Sequence, residues 1–463
     1  MKKFLFFLSI FTLFSCEKDE YIPLDSEVQL TNENLNKSTS SPSDLDIKLL
    51  NKLDSVTDGI GPSFFILPNS DDYANIPQDP LNPITHKKVE LGKLLFHETA
   101  TGGNPKTASN LATYSCASCH HAAAGFSAGT RQGIGEGGIG FGVKGEGRVF
   151  NNIIPVADID IQPIRSPTIL NVAYQDVMLW NGQFGGTGTN AGTEANWTNI
   201  PENFIGFQGV EVQALKGQDV HRLLVNKQFA KDFDYKKMFN KAFPDVPKEE
   251  RYTRETAGLA IAAYERTVLP NQSPWQRWLK GDYNALTNKE KKGARMFFGK
   301  AKCFRCHTGP ALNDKNFYAL GMGDFDDSTE AVVPDDNGFP NVKRGRGGFT
   351  KKPRDYYKFK TPTIYNLVDN GVFGHGGTFT SVRDIVEYKL NGIPENNEVP
   401  QEQLHRLFTN VQELTENQIN NLVLFIENGL RDPNLMRYVP DQINSGNCFP
   451  NSDPTSQVDL GCS

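Results

Sequence analysis

The chain has 463 residues, 38% of them hydrophobic and 22% charged, with a formal net charge of −6. That length suits two or three domains with true cores, and the balance excludes both a multi-pass membrane protein and a wholly disordered one. An acidic chain also lacks the basic surface that nucleic-acid binding asks for, and 42 Gly with 27 Pro point to long loops.

Lys2 and Lys3 precede an apolar run from Phe4 to Phe14. A membrane span needs ~20 residues, so 1–15 predicts a signal peptide rather than an anchor helix. Leu13-Phe14-Ser15-Cys16 resembles a bacterial lipobox, which makes Cys16 the lipidation site and the membrane a partner through a lipid anchor. Loss of the two leader lysines would take the charge from −6 to −8. Residues 16–58 read as a tether and N-terminal extension, rich in Ser, Asn and acids over 21–45. The expected location is therefore extracytoplasmic, as a periplasmic or outer-membrane lipoprotein, where thiols oxidise. The charged Glu17–Glu20 stretch resembles a cell-surface export tag.

Leu91-Gly92-Lys93-Leu94-Leu95-Phe96 reads as an amphipathic helix running into Cys116-Ala117-Ser118-Cys119-His120. A second such phrase, Lys292 to Phe298, runs into Cys303-Phe304-Arg305-Cys306-His307 and is opened by the capping box Thr287-x-x-Glu290. Composition alone would supply roughly 0.002 copies of C-x-x-C-H, a motif of c-type haem attachment; the chain holds two. The spacing has a chemical reason. Two thiols on one helical turn add across the haem vinyl groups, and the next residue presents its imidazole to the iron. A Cys₄ zinc site would draw its ligands from nearby segments and would not ask for the histidines. Two covalently bound haems c are the expected cofactors. Cys448 and Cys462, in a polar tail, predict a disulfide, with a third metal site the alternative.

Between the motifs, Glu255 to Val268 reads as a helix ended by Pro270. Near the end, Thr415-x-x-Gln418 caps a helix with Ile419, Leu422, Val423, Ile426 and Leu430 on one face. The basic run Lys343, Arg344, Arg346, Lys351, Lys352, Arg354 reads as a solvated loop, or else as partners of haem propionates. The predicted fold is mainly α: two cytochrome-c-like haem domains with long irregular loops, over 59–270 and 271–440, followed by the tail 441–463.

Residues 60–440 resemble the bacterial di-haem cytochrome c peroxidases and their methylamine-utilisation-type relatives. Leu91–His97 before the first motif, Arg165–Asn171 with Leu179–Gly182, and Phe359–Asn366 with Phe373–Gly377 carry the likeness. The resemblance implies a peroxidatic first haem and an electron-transfer second haem, with His120 and His307 as proximal ligands. It implies an electron-relay role for Trp180 and a pocket or propionate contact for His375. Glu136 stands where many members hold a labile distal histidine, so the first iron is expected to be open to peroxide. Gln213 matches a distal glutamine, but the glutamate ten positions later is replaced by Leu223, leaving Glu211 and His221 as candidate proton-transfer groups. For the second haem's sixth ligand, Tyr388, Lys389 and Met322 stay open. Arg165 replaces the asparagine of an inter-haem calcium site, and a fixed positive charge there would stand in for the ion.

The implied activity is reduction of hydrogen peroxide to water with electrons from a one-electron donor such as a small cytochrome c. The alternatives are a methylamine-type oxidase that modifies a partner protein or small molecule, and a plain electron-transfer cytochrome. Members of the family are often homodimers.

Overall fold

The computed structural model describes residues 41–325 and 342–462; the leader and the predicted lipidation site Cys16 lie outside them. The chain is mostly helical. Its only ladders among the described residues are two short antiparallel pairs, Gly138–Ile139 with Val149–Phe150 and Phe317–Tyr318 with Phe359–Lys360.

The predicted helix before the first motif spans His86–His97 and is capped by Thr85, whose hydroxyl accepts from the Lys88 N–H. It crosses the Arg254–Arg266 helix, which in turn packs on Gly209–Val220. Leu91, Leu95 and Phe96 bury themselves there against Ala257, Ala260, Val210 and Leu215, each large side chain contributing about 1.5–3 kcal/mol on removal from water. Gly92 sets the crossing distance: a Cβ there would stand 1.9 Å from the Ala260 carbonyl oxygen.

The second half repeats this device. The Asn288–Phe297 helix has the predicted capping box, with Thr287 Oγ1 accepting from Glu290 N and Glu290 accepting from Thr287 N at 2.6 Å. It packs on the Glu416–Leu424 helix, itself capped by Thr415 and Gln418. Gly293 meets the Asn421 carbonyl as Gly92 meets Ala260, again at 1.9 Å for a Cβ. The predicted C-terminal helix does not stay α throughout: it widens into a π turn over Phe425–Gly429, which still buries Ile426 and Leu430. Trp275 stacks on Trp278 at 5.4 Å in this second core. The Asp44–Val56 helix joins it through Leu49 and Leu53, and Asp46 accepts from Lys291 at 2.7 Å and from the Trp278 ring N–H at 2.8 Å. So the N-terminal extension is partly a packed element.

Cys448 and Cys462 form the expected disulfide. The tail it closes buttresses the first motif, because the Pro450 carbonyl accepts from the hydroxyls of Ser115 and Ser118, both at 3.2 Å.

Candidate haem sites

Each C-x-x-C-H motif begins in one 3₁₀ turn, Cys116–Ser118 and Cys303–Arg305, directly after its helix and loop. All four motif cysteines are unpaired. Burial holds Cys119 and Cys303 as thiols, pushed up to about 12. It likewise pushes the imidazoles of His120 and His307 down to about 4, so both rings are neutral and able to ligate iron. His307 directs Nδ1 at the Leu312 carbonyl, 3.1 Å away. That bond fixes the ring and leaves Nε2 for a metal.

A cavity of about 720 Å³ opens over the first motif, a volume suited to a cofactor. Cys116, Cys119 and His120 line it from the motif, Trp180 from a loop, and Gln213, Gly217 and His221 from the Gly209–Val220 helix and its C-terminus. A Cβ at Gly217 would meet nothing nearer than His221, at 3.8 Å, so this helix face is open for a flat group. Arg165 also lines the cavity, is 5% exposed, donates to Asn370 at 2.7 Å and has no hydrogen bond from Nε. Burial without an acid partner pulls it down to about 10, still a cation at neutral pH. An unmatched buried cation beside two thiols and a neutral imidazole fits a haem with its carboxylate groups.

On the same cavity wall, Gln213 donates from Nε2 to Oε2 of Glu265 at 2.6 Å. Glu265 comes from the Arg254–Arg266 helix and is pushed up to about 8, chiefly by burial. His221 donates or accepts at Nδ1 against Asp160, 2.8 Å away. Burial lowers the His221 ring, but the Asp160 carboxylate outweighs it and the net shift is upward.

Trp180 joins the two halves. It is 7% exposed, donates from its indole to the Arg165 carbonyl at 2.8 Å, and its own carbonyl accepts from Lys360 N at 2.8 Å. Its ring stands edge-on to His375, centroids 6.3 Å apart. His375 is stacked on Phe359 at 3.6 Å and paired with Asp324 at 3.1 Å. Arg346, from the basic run, is buried rather than solvated and donates to the carbonyls of Asn181, Gly182 and Thr189.

In the second site Lys389 feels the Cys303 and Cys306 thiols and in turn depresses His307. Burial brings the Lys389 ammonium down to about 8. Tyr388 faces elsewhere: its hydroxyl donates to the Leu320 carbonyl at 2.6 Å and its ring packs between Phe379 and Phe408. Met322 packs at the edge of the second core beside Gly374.

A sequence profile described as di-haem cytochrome c peroxidase matches residues 86–284. Cytochrome-c peroxidase IdrP1 of Denitromonas iodatirespirans is 28% identical over 333 residues, 68% of this chain and 74% of that one. Over these residues the chain is similar to the di-haem cytochrome c peroxidases. Methylamine utilization protein MauG of Methylorubrum extorquens is 25% identical over 318 residues, 69% of this chain and 72% of that protein. The fold matches the crystal structure of a MauG-like protein associated with microbial copper homeostasis with a TM-score of 0.54 at 22% identity, covering 80% of this chain and 96% of that one.

Against the expectations drawn from the family's motifs, one residue is corrected. Glu211 is no proton-transfer group: it is wholly buried, off the cavity, and clamped by Arg266 at 2.6 and 2.9 Å and by Asn82 at 3.2 Å. Tyr388 engages the Leu320 carbonyl with its hydroxyl and packs its ring into the second core. Glu136, at the place of the labile histidine, is held by Arg222 at 2.5 Å and by Thr107 N at 2.9 Å. Glu265 escaped sequence reasoning. Its one signal is an acid two positions after the apolar stretch Ala257–Ala263 of a helix.

Proposed function

We propose that the protein is an extracytoplasmic di-haem peroxidase that reduces hydrogen peroxide at the first haem, with electrons delivered singly through the second: H₂O₂ + 2 e⁻ + 2 H⁺ → 2 H₂O. Its relatives named cytochrome-c peroxidase support the activity. The observation that carries the assignment to the first site is the cavity over Cys116, Cys119 and His120, where the other histidine on its wall, His221, is engaged by Asp160. Bound there, a haem supplies the iron at which the peroxide O–O bond is broken.

The chain's own residues do the rest. Cys116 and Cys119 hold the first haem covalently and Cys303 and Cys306 the second, giving one haem domain to each half. His120 and His307 would ligate their irons. Arg165 carries a fixed charge where a calcium ion would otherwise sit, and neutralises haem carboxylates. Trp180, in ring contact with His375, would relay electrons between the haems. Lys389 would serve as the sixth ligand of the second haem, standing near enough to Cys303, Cys306 and His307 to act on them electrostatically. Cys16 carries the lipid anchor that holds the protein at the membrane.

Steady-state turnover with peroxide and a reduced small cytochrome c tests the activity. Sustained oxidation of the cytochrome supports a peroxidase. Rapid peroxide consumption with negligible cytochrome turnover would overturn it in favour of the methylamine-type oxidase.

A further inference from the structure

We propose that the carboxyl of Glu265, positioned by Gln213, is the proton-transfer group of the first haem cavity. The inference rests on the peroxidase reading of that cavity. Glu265 is 3% exposed and lies on the cavity wall with Ile261, one helical turn earlier. Its side chain receives one hydrogen bond, from Gln213 to Oε2. Among the described residues, no cation pairs with it and nothing donates to Oε1. The neighbouring Arg266 is spent on Glu211.

A buried carboxylate without a cation is costly, so such a group keeps its proton. The groups that face it agree. Glu211 raises its pKa, Arg266 lowers it, Gln213 lowers it by its hydrogen bond, and burial outweighs them all. Tyr264 and Cys116 feel its charge, and Lys216 and His221 share the cavity wall. An ionisable side chain kept neutral on the wall of a reaction cavity is suited to acid–base work.

Gln213 fixes which oxygen does what. Its N–H occupies Oε2, so the proton sits on Oε1. As the peroxide O–O bond breaks, Oε1 gives its proton to the departing oxygen, which leaves as water, and the peroxide's second proton returns to the carboxylate. The carboxyl ends as it began. The two electrons come from the one-electron donor and the two further protons from solvent.

The test uses the purified holoprotein with both haems attached. Glu265→Gln keeps the size and the hydrogen bond to Gln213 but cannot relay a proton. It is expected to slow the reaction with stoichiometric peroxide on the order of 100-fold and to abolish the fall in rate expected of the native protein as pH rises through about 8. It is also expected to remove a protonated-carboxyl C=O band from the infrared spectrum of the resting protein. A variant that reacts within a few-fold of the native rate, or a native-minus-variant infrared difference lacking that band at pH 7, would overturn the proposal. If Glu265→Gln yields no holoprotein, Glu265→Asp carries the test, and an unchanged rate and pH midpoint would overturn it. A native protein that ignores peroxide would sink the peroxidase reading, while the infrared band would still decide whether Glu265 holds a proton.

Discussion

As the proposed sixth ligand of the second haem, Lys389 would set the behaviour of that cofactor. An amine donates strongly and favours ferric iron, whereas a thioether ligand raises the reduction potential. Lys389→Met should therefore raise the potential of the second haem on the order of 100 mV, leave the first unchanged, and be read by a spectroelectrochemical titration. Two unshifted haems would remove Lys389 from the iron. At this scale the sequence was legible where residues are contiguous: the first C-x-x-C-H motif, Trp180 and Gln213 were singled out from short phrases, and all line one cavity. It was illegible where two elements meet. Glu265 lies 52 positions from the glutamine it bonds, so counting along the helix that carries Gln213 led to Leu223 and could not find it. Glu211, two positions before Gln213, points to the opposite side of the helix, where Arg266 claims it.

At the scale of elements, the duplicated phrases before the motifs have a mechanical meaning. In each, a glycine lets the helix cross its partner at backbone contact, Gly92 on Ala260 and Gly293 on Asn421. Gly92→Ala would gain helix propensity, worth about 1 kcal/mol, but the new methyl would meet a carbonyl that belongs to a packed helix and cannot yield. The expected result is a net destabilisation of about 1–3 kcal/mol, measured by denaturant unfolding of the holoprotein; an unchanged midpoint would show that the crossing can relax. Capping boxes made the helix starts at Thr287 and Thr415 readable. The π turn at Phe425–Gly429 was not readable, because its apolar face still satisfies a helical period. Nor did a string of basic residues betray that Arg346 is a buried tie, since its three acceptors are carbonyls far away in sequence.

Across the whole molecule, the proposed function depends on two cores sharing one path. Trp180 packs in the first half, yet its carbonyl is bonded by Lys360 and its ring abuts His375. Trp180→Phe keeps most of the packing and loses the indole bond to Arg165, about 1 kcal/mol. Transfer between the haems, followed by stopped-flow absorbance after mixing with reduced donor, should slow while both haems stay attached. Unchanged kinetics would remove the tryptophan from the path. The central claim is that the first haem keeps an axial position for peroxide, and a peroxide titration of the resting, fully oxidised holoprotein followed by absorbance and EPR tests it most directly. A high-spin ferric signal is expected before any reduction, consumed stoichiometrically by peroxide. Two wholly low-spin haems that ignore peroxide would contradict it.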